Sequence, residues 1–555
     1  MHQLVRQRTA IHTASIALWV AVFLVVAATA LFSISNLLWT VREGVPPLSA
    51  NSEFFAYSWI YALRWGAGES VFMPHSQLLF PIFALIDKVF GMSAGGAGEI
   101  IAGWHRIALV WPIALMAVSL ALLFCTLDRR SPLIDAVVSA SLFLVSVPIF
   151  LTDHALSSMS YHSLSIPLGL AALPLWRAYR SPDVLPSTSF YISLGIYTGV
   201  CLLGKPTFGA FAAAFFAMEF LRSVPHRKYA GLLTAIAVAL ATYLGWLLAF
   251  YGSIDGVAGF FSKSLMFMQS QAGWYDTEKG ATPLHWYAGY VVGKMGPLPT
   301  ILIIVAVGAC FLRRERALVL TGVLTAIACA LFCLYHRSQL HAEPEFIALL
   351  LTTAIASLRW SGMPTLLQAR IDNGLPSLLG GAAALALIAW TAAFPPATIQ
   401  HGLVELMATY DRVIVPALFL QPAEIRTIAL IEPQASERAG IMWGVTDAWC
   451  RGEGNIFDST RSDLLDRKFG NVTCLSGGER EDPDLLSYNR VVFLRHTEGG
   501  QSVPSDALAK AFPHIVLRFN DCAAAGSSLP SAFESRSFDL MACGLRPTPP
   551  QARRD

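Results

Sequence analysis

The sequence predicts an all-α polytopic membrane bundle of about eleven transmembrane helices, with a small external α/β or mainly β C-terminal domain. Three observations predict it. Of 555 residues, 55% are hydrophobic and 14% charged, and the mean hydropathy is +0.54. Soluble domains carry roughly a quarter charged residues. The charges sit in short clusters between long apolar runs. They become dense only after about residue 425, where shorter, turn-punctuated runs begin. The formal net charge of +2 argues against nucleic acid as a partner.

A bilayer core takes roughly 20 apolar residues per helix, fewer where a helix is packed inside a bundle. Segments near 14–35, 104–126, 133–151, 163–179, 189–204, 206–221, 229–251, 298–312, 317–335, 344–358 and 375–394 qualify. The fifth and sixth are short and meet at Lys205-Pro206, a tight turn, because proline removes a backbone donor and restricts the residue before it. The first follows Arg6, Arg8 and His12. Its apolar stretch exceeds a signal-peptide core, so it reads as a retained anchor.

Basic residues of short loops set the orientation. Arg6 and Arg8, Arg129 and Arg130, Arg177 and Arg180, Arg222 with Arg227 and Lys228, Arg313 with Arg314 and Arg316, and Arg359 with Arg370 all fall on one face if the spans alternate. That face is cytoplasmic and holds the N-terminus. The other face holds two long loops, about 36–103 and 253–297, and the chain from about 395 onward. Three regions are expected: a membrane domain over 1–398, an external soluble domain over 399–546 and a disordered tail over 547–555. The expected location is the inner (plasma) membrane of the cell envelope, with the C-terminal domain periplasmic.

Of nine cysteines, Cys125, Cys201, Cys310, Cys329 and Cys333 lie in apolar spans, where cysteine behaves as a small hydrophobe. Cys450, Cys474, Cys522 and Cys543 cluster in the C-terminal domain. In an oxidising compartment an even set suggests two disulfides, with three possible connectivities. Free thiols are the alternative; a zinc site lacks CxxC spacing. In this domain Thr427–Ile431, Gly440–Val445, Arg490–Arg495 and His514–Phe519 read as β-like runs between polar turns. No phosphate-binding glycine loop or nucleophile elbow accompanies them, and no residue pattern calls for a cofactor or a metal.

The first long loop is semi-apolar. Phe54 to Trp65 alternates aromatic and small residues, and Leu78 to Phe90 is apolar but shorter than a span, ending at Gly91. Such lengths suit interfacial helices, with Glu53 at their start. The loop carries Ser52-Glu53, then His75-Ser76-Gln77-Leu78, then Val89-Phe90-Gly91, and His105-Arg106-Ile107 follows at the next span. Downstream come Leu203-Gly204-Lys205-Pro206, Thr282-Pro283-Leu284-His285-Trp286-Tyr287, Gly296-Pro297-Leu298-Pro299, His336-Arg337-Ser338 and His341-Ala342-Glu343-Pro344.

This order resembles the lipid-dependent glycosyltransferases of the GT-C type, especially the protein mannosyltransferase and aminoarabinose transferase branch. There an Asp-Glu pair follows the first span. A [His/Lys]-Pro-Pro-Leu helix start, a Phe-Gly helix end, an Arg-Leu span start and a Leu-x-Lys-[Gly/Pro] turn come after it. The resemblance covers about residues 14–394 and leaves out the C-terminal domain. Two places depart from it: Ser52 replaces the Asp, and Ser76-Gln77 replaces the two prolines. The resemblance implies transfer of a sugar, with inversion, from a polyprenyl-phosphate donor to an unidentified glycan, lipid or protein acceptor on the external face.

Such a transfer needs a carboxylate to take the acceptor hydroxyl's proton and cations beside the departing lipid phosphate. Glu53 fits the first role, with Asp153 as a second acid near the external end of the third span. Lys205 and Arg337 fit the second, at external span ends. The resemblance adds His75, Arg106, His285 and His341 as substrate-binding candidates. The plainer readings are a solvated loop acid for Glu53, a snorkelling Lys205, a flanking charge for Arg337, and structural or interfacial histidines. A polysaccharide ligase or polymerase using the same carrier is a close alternative. A transporter or flippase would place ionisable groups at mid-span or show internal repeats; here only Glu219, near a cytoplasmic end, approaches that description.

Overall fold

The computed structural model describes residues 65, 76–91, 111, 114–115, 117–119, 121–123, 125–126, 161–179, 186–224, 229–278, 348–349, 351–353, 355–356, 425–431, 472–476, 490–497, 519–524, 529–530 and 537–545. The helices in chain order are α1 (Leu79–Phe90), α2 (Ser165–Leu170), α3 (Leu173–Tyr179), α4 (Thr188–Gly204), α5 (Ala210–Ser223), α6 (Ala230–Tyr251) and α7 (Ile254–Glu278). The strands are β1 (Thr427–Ile431), β2 (Val472–Ser476), β3 (Arg490–Thr497), β4 (Phe519–Ala524), β5 (Leu529–Pro530) and β6 (Ser537–Leu545). The chain divides into two compact units. One comprises Met1–Trp39, Pro74–Leu78 and Trp111–Thr398; the other comprises Thr40–Met73, Leu79–Val110 and Ile399–Asp555.

In the first unit, helix boundaries follow local chemistry. Ser187 caps α4, its hydroxyl accepting the Phe190 N–H, which satisfies one of the orphan donors of a helix start. The apolar run expected as one span over 163–179 breaks at Ala171-Ala172 into α2 and α3. Pro174 explains this: its ring lacks an N–H and clashes with the carbonyl four residues back, so a helix restarts around it rather than running through. α6 runs 22 residues, long and apolar enough to cross a membrane. It ends where Gly252 adopts a left-handed φ of 72° and donates its N–H to Leu248 O at 2.8 Å. The second long loop, expected over 253–297, therefore opens with a helix, the 25-residue α7.

α4 and α6 approach closely through a Gly-x-x-x-Gly pair. A Cβ on Gly195 would stand 2.6 Å from Ala235 O and Val238 Cβ; one on Gly199 would stand 2.6 Å from Thr242 Cβ. Membrane helices lack a hydrophobic force between them and associate through such close backbone contact. The opposite side of α6 presents Leu233, Ile236, Leu240, Leu244 and Leu248, all exposed, at spacings of three and four. A stripe of this kind is at home in hydrocarbon. α5 turns Phe211, Ala212, Phe215 and Met218 inward, with the Phe215 ring 4.5 Å from that of Trp176.

Glu219, the acid nearest to mid-span, is buried and accepts a hydrogen bond from Tyr191 Oη at 2.7 Å. The Tyr191 ring lies over Gly231, where an added Cβ would collide with it. The carboxylate thus ties α5 to α4 across the start of α6.

In the second unit, α1 buries Leu79, Phe83, Ala84 and Asp87 and exposes Leu85, Val89 and Phe90, the last at 71%. Gly91, with φ of 64°, stops it, donating its N–H to Asp87 O at 2.8 Å. The range matches the short apolar helix expected before Gly91.

The sheet of this unit has the order β2-β1-β3-β6-β4, with β5 also against β6. β1 pairs in parallel with both β2 and β3; β6 pairs antiparallel with β3 and β4. Parallel neighbours need crossover connections of a dozen or more residues, which 432–471 and 477–489 are long enough to supply. β1 matches the expected Thr427–Ile431, and β3 extends the expected run to Thr497. Of the other two expected runs, only Phe519, the first residue of β4, is a described residue. Thr427 and Val492 are buried, and burial lowers the pKa of Arg490 at the start of β3.

Candidate functional site

The turn between α4 and α5 is dictated by Pro206. Proline pushes the residue before it out of the helical region, and Lys205 is extended, with φ −166° and ψ 139°. Its N–H still donates to Cys201 O at 3.0 Å, closing α4. Pro206 then occupies the first position of a 3-10 turn, Pro206–Gly209, where its missing donor costs nothing. Phe208 N–H donates to Lys205 O at 2.9 Å. The Phe208 ring and Leu168 close over Gly204, where an added Cβ would stand 3.0 and 3.1 Å from them. Lys205 is only 6% exposed in this setting.

A second segment, distant in sequence, docks on this turn. Gln77 N–H donates to Leu203 O at 2.8 Å. Trp246 Nε1 donates to Gln77 O at 2.9 Å, and Tyr251 Oη donates to Gln77 Oε1 at 3.0 Å. Ser76, beside it, is buried, and its hydroxyl finds no hydrogen-bond partner among the described residues. Ser76-Gln77-Leu78 and the Leu203-Gly204-Lys205-Pro206 turn, read separately in the sequence, thus meet. The departure from two prolines has a structural counterpart. A proline at 77 has no N–H for Leu203 O, and here a hydrogen-bonded clamp stands in its place.

Of the site residues expected from sequence, Lys205 is described and lies in this turn. Glu53, Asp153, His75, Arg106, His285, Arg337 and His341 lie outside the described residues. Gln77, Trp246 and Tyr251 were not anticipated as site residues. Their signal was the departure at Gln77 itself: a polar amide placed where an apolar strap is expected needs hydrogen-bond partners when buried.

The clamp predicts energetic coupling between Gln77 and Tyr251. Gln77→Ala and Tyr251→Phe should each lower thermal stability in detergent, and the double variant should fall short of their sum by about 0.5–3 kcal/mol. Strict additivity in the four-member cycle would show that the contact carries no energy.

No protein-family model matches this chain, and neither does any curated protein. Among solved structures, ArnT from Cupriavidus metallidurans bound to undecaprenyl phosphate is similar at 12% identity and TM-score 0.50, over 93% of this chain and 97% of that one. The apo state of the same protein is similar at 10% identity and TM-score 0.45, over 93% and 98%. The first of these spans a larger share of the chain than the motif resemblance over about residues 14–394. At such identity the likeness speaks for architecture: the chain has the polytopic membrane helical fold of ArnT, the fold expected of the GT-C type.

Proposed function

We propose that the chain is a membrane glycosyltransferase that takes a sugar from a polyprenyl-phosphate carrier and hands it, with inversion, to an acceptor on the external face of the plasma membrane. One observation carries this reading most: a buried Lys205, held extended by Pro206 in a turn whose Leu203 carbonyl accepts from Gln77, in a fold shared with a protein crystallised with undecaprenyl phosphate. A lysine ammonium is a compact point charge suited to a phosphate. Burial strengthens such an interaction by lowering the local dielectric.

The remaining roles follow from the reaction. Glu53 is the base that removes the acceptor proton, with Asp153 as a second acid. Arg337 shares the phosphate with Lys205. His75, Arg106, His285 and His341 contact donor or acceptor. The exposed Leu85, Val89 and Phe90 of α1 suit a helix lying in the membrane interface, where a long lipid carrier must enter. The N-terminus is cytoplasmic, and 399–546 forms an external domain.

The test is turnover. Purified protein in lipid nanodiscs is incubated with a panel of polyprenyl-phosphate sugars and a cell-envelope extract as acceptor, and released polyprenyl phosphate is measured. Release from one donor class is expected; intact donor across the panel sinks the reading.

A further inference from the structure

We infer that Cys522 and Cys543 form a disulfide across a bulge between β4 and β6. Strand order and register carry the inference. Asn520 pairs with Gly544 and Ala523 pairs with Ala542. Two residues of β4, Asp521 and Cys522, therefore stand opposite the single residue Cys543 of β6, the arrangement of a β-bulge. Opposed positions of antiparallel strands have Cα atoms about 4.5–5.5 Å apart, inside the window of about 4.4–6.8 Å that a disulfide requires.

Cys474 is placed where it can reach neither of them. It lies on β2, in register with Ala429 of β1; Ala429 pairs with Val492 of β3, and Val492 with Ala542 of β6. Three strand steps of about 4.8 Å put β2 about 14 Å from β6, and a fourth puts it about 19 Å from β4. Both exceed the roughly 7 Å limit for bridging without backbone movement. Four cysteines allow three connectivities. Two of these join Cys474 to Cys522 or Cys543, and the sheet disfavours both, which leaves the one that contains Cys522–Cys543.

The chemistry needs an oxidant of the compartment, a protein disulfide. One cysteine thiolate attacks it to give a mixed disulfide, and the second displaces the reduced oxidant thiol. The new Sγ–Sγ bond forms as the two cysteines lose two protons and two electrons, and the oxidant becomes a dithiol. The inference thus rests on the external placement proposed above.

The experiment uses full-length protein from its membrane, with thiols blocked by N-ethylmaleimide at lysis, then digested without reductant and mapped by mass spectrometry. The expected result is a cross-linked peptide containing Cys522 and Cys543. In Cys543→Ser, Cys522 should become alkylated; in Cys474→Ser, the Cys522–Cys543 link should persist. Alkylation of both Cys522 and Cys543, or a link from either to Cys450 or Cys474, overturns the inference. Protease added to intact spheroplasts reads the placement separately. Cleavage after about residue 395 together with free thiols means the pairing alone is wrong, whereas protection means the placement has failed as well.

Discussion

Replacing Glu53 by Gln is expected to lower turnover by about 10²–10⁴-fold, the usual yield of a positioned proton acceptor. Gln keeps the size of the side chain and its hydrogen-bonding reach, but it cannot take a proton. An acceptor hydroxyl attacking an anomeric carbon becomes strongly acidic only as the new bond forms. The carboxylate therefore acts in the transition state far more than in the bound ground state. Donor affinity should stay nearly unchanged while the chemical step slows. Single-turnover measurement with saturating donor separates the two. A loss below about tenfold would mean that another group, with Asp153 the first candidate, removes the proton.

The opposite partition is expected of Lys205. A hydrogen bond to a charged partner contributes about 1.5–3 kcal/mol, so Lys205→Met should weaken donor binding by roughly 10–100-fold and reduce turnover with it. Methionine retains most of the apolar stem in a site that is 6% exposed, which limits the packing loss. The backbone of the turn is held by Pro206 and by the Cys201 and Phe208 hydrogen bonds, none of which needs the ammonium. The melting temperature and gel-filtration profile of the variant establish that it is folded before affinity is compared. Unchanged donor affinity in a folded Met variant removes Lys205 from the phosphate site. Together the two substitutions form a signature: Glu53→Gln moves the rate alone, Lys205→Met moves affinity and rate.

How far the sequence could be read depended on whether the cause was local. The α4–α5 break at Lys205-Pro206 and the end of α1 at Gly91 follow from the sterics of two residue types, and both appear where the sequence puts them. β1 is likewise found over the expected residues. The break before Pro174 was equally local, but a hydropathy window averages over it, and α2 and α3 were read as one span. Tertiary partners were beyond reach. Gln77 bonds to Trp246 and Tyr251 across 169 and 174 residues, and no periodicity encodes such a pairing. The proposed site was legible as an order of motifs. Of its expected residues, Lys205 lies in the turn on which the Gln77 clamp docks.

The position of β6 between β3 and β4 bears on when this domain can form. β6 is the latest in sequence of the described strands, yet it holds together the antiparallel half of the sheet. Until Ser537–Leu545 has been made and delivered, β3 keeps one row of backbone groups without a neighbour, and β4 and β5 have no strand to join. The chain upstream can complete the parallel trio β2-β1-β3, but that trio carries an open edge of the kind that invites pairing with other chains. Maturation of this region thus waits on its final strand. A chain cut short before residue 537 should linger as an association-prone intermediate rather than as a smaller, finished domain.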